Sequence, residues 1–231
     1  MTKNNSKIMK AEKVVIIGGS SSMGLATAAQ ATAKGYEVVV VGRNEGKLKQ
    51  AVHDLGAPAR YYKADAMDET QLRQMFEALA PVHHIVVTVN APGRATSITD
   101  TNTDDAKVVF ERFWMNYRIL NLAPPYMPPS GSITLISGSS SKTPVAQYSF
   151  WGTLHGSIEA LAKNAALSIA PIRVNVVSPG GIGLQPDRQL VQHHGTPDNI
   201  GQAIVSIIEN PAITNAKLDV DGGERQGNWA G

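Results

Sequence analysis

Two hydrophobic rhythms alternate along this chain, and that alternation most constrains its fold. Short runs recur at VVIIG (14–18), EVVVVG (37–42), ARYYKAD (59–65), HIVVTVN (84–90), GSITLIS (131–137), IRVNVVS (172–178) and AKLDVDG (216–222). Most are β-branched and apolar at consecutive positions, as strands covered on both faces of a parallel sheet must be. Between them lie stretches with helical spacing at 23–35, 44–56, 68–80, 104–123 and 153–170. Gly35 and Gly56 end the first two, and Asp68 is placed to cap the third. Strand–helix units in series predict a doubly wound α/β fold in one domain over 13–231, behind a short flexible tail at 1–12.

Composition narrows the function classes. The 231 residues are 42% hydrophobic and 17% charged, ordinary for a globular chain with a core. A net charge of +2 gives no electrostatic case for a nucleic-acid or membrane-surface partner. Cysteine is absent, so disulfides, thiolate metal sites and thiol nucleophiles are excluded. No run approaches the ~18 apolar residues of a membrane span. With no signal-peptide pattern in MTKNNSKIMKAEK, the expected location is cytoplasmic.

The first strand runs into GGSSSMGLATA. Glycines leading directly into a helix aim backbone N–H groups and the positive end of the helix dipole at one point, which suits a pyrophosphate. The spacing is Gly18-xxx-Ser22-x-Gly24 rather than G-x-G-x-x-G. About twenty residues on, the second strand ends VVVVGRNEGK, with Arg43 where an NAD-binder places an acid on the ribose 2′-OH. A guanidinium can pair there with a 2′-phosphate, which points to NADP(H) as cofactor; the alternative is a solvated loop charge.

At this point the chain resembles the short-chain dehydrogenases/reductases, from Val14 to Gly223. GGSSSMG matches the family's glycine-rich turn, Asp65-Ala66 its adenine-contacting pair, and Asn90-Ala91-Pro92-Gly93 its Asn-Ala-Gly stretch. Asn116, in FWMNYRI, falls on its active-site asparagine; RVNVVSPGGI and LDVDGG match its last two strands. The resemblance implies a single-domain Rossmann fold, with a seven-stranded parallel sheet flanked by helices, and frequent homodimers or homotetramers. It also assigns cofactor contacts to Gly18, Ser20, Ser21, Ser22, Met23, Gly24, Arg43, Asn44, Asp65, Ala66, Asn90, Ala91, Pro92, His155, Pro179, Gly180 and Ile182.

The family reduces carbonyls with a serine, a tyrosine and a lysine, and here this chain departs from it. Counting back from HGSIEALAKNAALSIAPIRVN and forward from GSITLISGSS places Trp151 on the tyrosine, His155 on the lysine and Gly138 on the serine. No tyrosine in the chain is followed four residues later by lysine. Leu184 stands where the family often has a threonine. Indole N–H donates but does not ionise usefully, so Trp151 is expected to wall the pocket or stack on a flat or cationic substrate. His155, with an ordinary pKa near ~6.5, is a candidate acid–base or ribose-binding group, or a space-filler. Catalytic candidates are therefore His155, Asn116, Trp151 and Ser139, with Ser137, Ser140 and Ser141 beside the absent serine.

The other histidines suggest less. His83-His84 read as surface turn residues, and His193-His194 belong to a short substrate loop near 183–200, with no third ligand that would make a metal site. Phe113 and Trp114 read as core or interface residues. The leading expectation is an NADP(H)-dependent oxidoreductase with a non-standard active site, acting on a small molecule activated as an imine, iminium or conjugated C=C. Alternatives are a non-redox cyclisation or rearrangement on the same scaffold, and a non-enzymatic NADP(H)-binding sensor or subunit.

Overall fold

The computed structural model describes residues 12–90, 93–94, 96–180, 189–193 and 195–224. Seven strands form one parallel sheet: β1 (Lys13–Ile17), β2 (Glu37–Gly42), β3 (Arg60–Lys63), β4 (His84–Val87), β5 (Ser132–Ile136), β6 (Arg173–Pro179) and β7 (Lys217–Val220). Their spatial order is β3-β2-β1-β4-β5-β6-β7. The register is continuous, with Val15 opposite Val39 on one side and Ile85 on the other, and Ile133 opposite Ile85 and Val174. The expected fold class and all seven strands are therefore present. The edge strands β3 and β7 are exposed and carry charge, as in RYYK and KLDV, which discourages pairing with further strands.

Strand pleating divides the core in two. Val15, Ile17, Ile85 and Val87 face helices α3 (Glu69–Leu79), α4 (Thr103–Leu122) and α5 (Ser149–Ser168), whose Phe76, Met115, Ile119, Leu154 and Ile158 are fully buried there. Val14, Ile16, Val38 and Val40 face α1 (Ser22–Ala33), α2 (Glu45–Leu55) and α6 (Pro197–Glu209). The flip from face to face at successive residues is the period of two that a doubly covered strand hides in sequence.

Helix α6 begins inside the last residues of the segment near 183–200 that was expected as a substrate loop. Thr196 caps it in a capping box with Asn199, and Pro197 occupies its first turn. Burial of Ile200, Ile204, Val205, Ile207 and Ile208 holds it to the sheet. At roughly 1.5–3 kcal/mol per buried aliphatic side chain, packing outweighs the cap, which instead fixes where the helix begins. Arg173 of β6 ties down the other end, donating to the carbonyl oxygens of Ile207, Ile208 and Ile213 at 2.7–3.1 Å. A cation there complements the helix dipole.

Candidate active site

Strand order reverses between β1 and β4, and the crevice of such a sheet opens at the C-terminal ends of those strands. A cavity of about 390 Å³ occupies that place. The turn after β1 supplies Gly18, Ser20, Ser21, Ser22 and Met23, the end of β2 supplies Arg43 and Asn44, β3 leads to Asp65 and Ala66, and β4 to Asn90. Gly18 is required on two counts: its φ is +93°, and a Cβ would lie 2.7 Å from Thr88 Oγ1. A Cβ on Gly24 would lie 2.3 Å from the Gly18 carbonyl oxygen, so this glycine lets the helix start against the turn.

The donors fit a dinucleotide phosphate. Helix α1 opens without a side-chain cap and without an acid in its first turn, leaving its leading N–H groups for an anion. Arg43, with 72% of its side chain exposed, approaches Asp65 only at 4.0 Å. Lys47 lines the same cavity and was not foreseen; it is one helical turn beyond Arg43 and doubles the positive charge. Asn44 has a structural task as well, since its Oδ1 accepts from Lys47 N and caps α2. Asp65 Oδ1 accepts from Met67 N, which fixes the carboxylate at the cavity wall.

A second cavity of about 410 Å³ shares Met23 and Asn90 with the first and continues the crevice over β5. Trp151 and His155 from α5, Gly138, Ser139 and Ser140 after β5, and Pro179 at the end of β6 line it. So does Arg112 of α4. Trp151 and His155, one helical turn apart, have ring centroids 6.1 Å apart. The glycine at 138 and the histidine at 155 are mutually dependent: a Cβ at 138 would lie 2.5 Å from His155 Cε1. Any larger residue at 138 would evict the imidazole.

Arg112 is the residue that sequence reading missed. Its side chain is buried, Nη2 donates to the Ile136 carbonyl oxygen at 2.7 Å, and Nη1 lies 3.4 Å from His155 Nε2. Because guanidinium only donates, Nε2 is the accepting nitrogen of His155. Nδ1 then carries the proton and donates to Ser140 Oγ at 2.9 Å, leaving the Ser140 O–H to point elsewhere as a donor. Burial, and then the Arg112 charge, push the His155 pKa down to about 3. His155 is therefore neutral at pH 7, which corrects the expectation of a proton donor titrating near neutrality. Burial alone also lowers Arg112, to about 10, and it stays cationic.

The remaining candidates separate by contact. Ser137 and Ser141 both donate to Glu159 Oε1, at 2.8 and 2.7 Å, and are committed to holding that carboxylate. Ser139 is on the cavity wall. Asn116 is not: it is buried one turn behind Arg112, with Nδ2 donating to the Arg112 carbonyl oxygen at 2.7 Å. It is a positioning residue for the helix turn that carries Arg112. Gly180 N donates to the Val220 carbonyl oxygen, and its missing side chain admits Glu224 Oε2.

One histidine expectation changes. His84 is not a surface residue but the buried start of β4, its Nδ1 2.8 Å from Ser132 Oγ and its pKa lowered by burial. His193 stays in the expected loop segment ahead of α6 and faces Asn199 Oδ1 at 3.0 Å. Ala91, Pro92, Ile182, Leu184, His194 and most of the proposed tail at 1–12 lie outside the described residues. Of the aromatic pair on α4, Phe113 packs against the core and Trp114 is 47% exposed.

Comparison with known proteins places this geometry in a family. A family model described as enoyl-(acyl carrier protein) reductase matches residues 17–224. The chain belongs to the short-chain dehydrogenases/reductases. The short-chain dehydrogenase/reductase malC of Malbranchea aurantiaca is 27% identical over 259 residues, covering 96% of this chain and 97% of that protein. Human 3-oxoacyl-[acyl-carrier-protein] reductase is 29% identical, covering 90% and 95%. Among solved structures, the MalC reductase/Diels-Alderase of Malbranchea aurantiaca superposes with TM-score 0.85 at 26% identity, covering 94% of this chain and 97% of that one. A small-chain dehydrogenase in complex with NADPH gives 0.76 at 26%, covering 94% and 100%.

Proposed function

We propose that this protein is an NADP(H)-dependent oxidoreductase whose active site works without the family's tyrosine and lysine. The observation that carries this reading is the cavity where Trp151, a neutral His155 and the Arg112 cation converge, beside a crevice suited to a dinucleotide. The NADPH complex of a similar small-chain dehydrogenase supports the cofactor. Gly18, Ser20, Ser21, Ser22, Met23 and Gly24 would hold the pyrophosphate, Arg43 and Lys47 the 2′-phosphate, and Asp65 and Ala66 the adenine end. Asn90, His155 and Pro179 would lie near the nicotinamide. Bound there, the cofactor supplies a hydride.

The chain's own groups favour an activated acceptor. Trp151 cannot hand a proton to a carbonyl oxygen, and His155 carries none to spare at neutral pH. A ketone therefore lacks the acid it needs, whereas an iminium or conjugated C=C is activated before it arrives. Trp151 supplies a flat wall, Ser139 and Ser140 hydroxyls at its edge, and His155 orients Ser140. Cytoplasmic location and assembly as a homodimer or homotetramer, through the exposed Trp114 and Tyr117 of α4, belong to the same proposal. A second reading, non-redox cyclisation with NADP(H) as a structural wall, is favoured by the similarity to a reductase that is also a Diels-Alderase.

Cofactor preference tests the first step. Arg43→Ala should weaken NADPH binding by roughly ten- to hundredfold, the loss of one or two charge-assisted hydrogen bonds, and leave NADH nearly unchanged. Fluorescence titration of both cofactors reads this directly. Equal losses for both would remove the 2′-phosphate role.

A further inference from the structure

The guanidinium of Arg112 is only partly employed. It has five N–H donors, of which one reaches the Ile136 carbonyl oxygen and one points at His155 Nε2. Its Nε–H is buried with no partner. Arg112 is 4% exposed, yet among the described residues it forms no ion pair. A buried arginine ordinarily sits against a carboxylate, because an unpaired charge away from water is costly. Of the acids around the cavity, Glu111 is engaged with Arg118, Glu159 with Ser137, Ser141 and Lys217, and the buried Glu224 sits against Gly180 on the β6 side; none is paired with Arg112 among the described residues. Arg112 lines the cavity together with Trp151 and Ser140.

This arrangement conflicts with a simple cationic substrate. An iminium placed on Trp151 would meet an uncompensated positive charge. A substrate carrying its own anion next to the iminium removes the conflict. We propose that Arg112 anchors a substrate carboxylate, and that the substrate is a flat cyclic α-iminocarboxylate, a C=N carbon bearing the carboxylate directly. This deepens the reductase reading and rests on it. A bidentate pair with the fork of Arg112 fixes the C=N carbon beside Trp151, and Ser140 O–H adds a third donor. A hydride from NADPH forms the new C–H bond at that carbon. The C=N π pair becomes the nitrogen lone pair, NADPH becomes NADP⁺, and the product is a secondary amino acid. Nitrogen arrives already protonated, so no tyrosine is needed.

The test is binding to the NADPH-saturated protein, using 1,2,3,4-tetrahydroisoquinoline-1-carboxylate and its neutral carboxamide, which mimic the product and do not consume cofactor. The wild type should bind the carboxylate at least tenfold more tightly. Arg112→Gln should erase that preference and Arg112→Lys should keep part of it, each read at saturating NADPH. Equal binding of acid and amide by the wild type would overturn the proposal. So would a preference that survives Arg112→Gln, or an Arg112→Gln protein that loses NADPH while retaining the preference, which would assign Arg112 to the cofactor. If Arg112→Gln does not fold, the wild-type ratio and the Arg112→Lys ratio still decide. Failure to bind NADPH would sink the reductase reading instead, and the acid–amide ratio of the cofactor-free protein would still report on Arg112.

Discussion

At the scale of single residues, the site depends on one exchange of volume. His155 occupies the space that a side chain at 138 would need, so Gly138 and His155 stand or fall together. Gly138→Ala should cost about 1–3 kcal/mol of stability by overpacking. In a His155→Ala background the same change should cost almost nothing, and a double-mutant cycle by urea denaturation would reveal the coupling. Additive losses would mean that the imidazole does not fill that space. Protonation gives an independent check. His155 titrates at about 3 when folded and near ~6.5 when unfolded, so below neutrality the unfolded chain binds the extra proton. Stability is full above about pH 6.5 and falls as pH drops toward 3. His155→Gln should therefore lose less stability than wild type between pH 7 and pH 5. Identical losses would contradict a buried neutral imidazole. The positions of Trp151 and His155 were legible because they lie on one helix at a fixed distance from readable strands. Arg112 was not. Its role comes from α4 crossing α5, a contact between segments 43 positions apart that no local pattern announces.

At the scale of elements, strand runs were legible wherever burial on both faces makes them continuously apolar. Helix α6 was missed although its signals are present: Thr196 before Pro197, Asn199 three residues after the cap, and isoleucines at 200, 204, 207 and 208. Loop-like punctuation in QPDRQLVQHHGTPDN masked them. The cap is a testable element in its own right. Thr196→Ala should destabilise the protein by about 0.5–2 kcal/mol in thermal or urea unfolding, without changing NADPH affinity. A loss of cofactor affinity instead would mean that the start of α6 is coupled to the crevice.

For the molecule as a whole, strand order brings the turns after β1, β2 and β4 and the segments after β5 and β6 to one edge of the sheet. Phosphate-binding and reacting ends thus share a continuous crevice, and the proposed reading puts the departure from the family pattern at its reacting end. That departure is larger than two residues. Restoring tyrosine and lysine alone puts a lysine at 155 beside Arg112, two cations in one pocket. Trp151→Tyr with His155→Lys should therefore stay a poor ketone reductase until Arg112 is also replaced by a small neutral residue. Fast ketone reduction by the double variant alone would contradict the role given to Arg112.

The measurement that bears most directly on the whole account is NADPH oxidation followed by absorbance with the unmodified protein. It would be offered simple ketones, conjugated enones, and 3,4-dihydroisoquinoline with and without the 1-carboxylate. The account predicts turnover of the activated acceptors, fastest with the carboxylate, and negligible turnover of the ketones. Ketone reduction as fast as that of the imines would show that a proton donor operates in this site, and the central claim would fail.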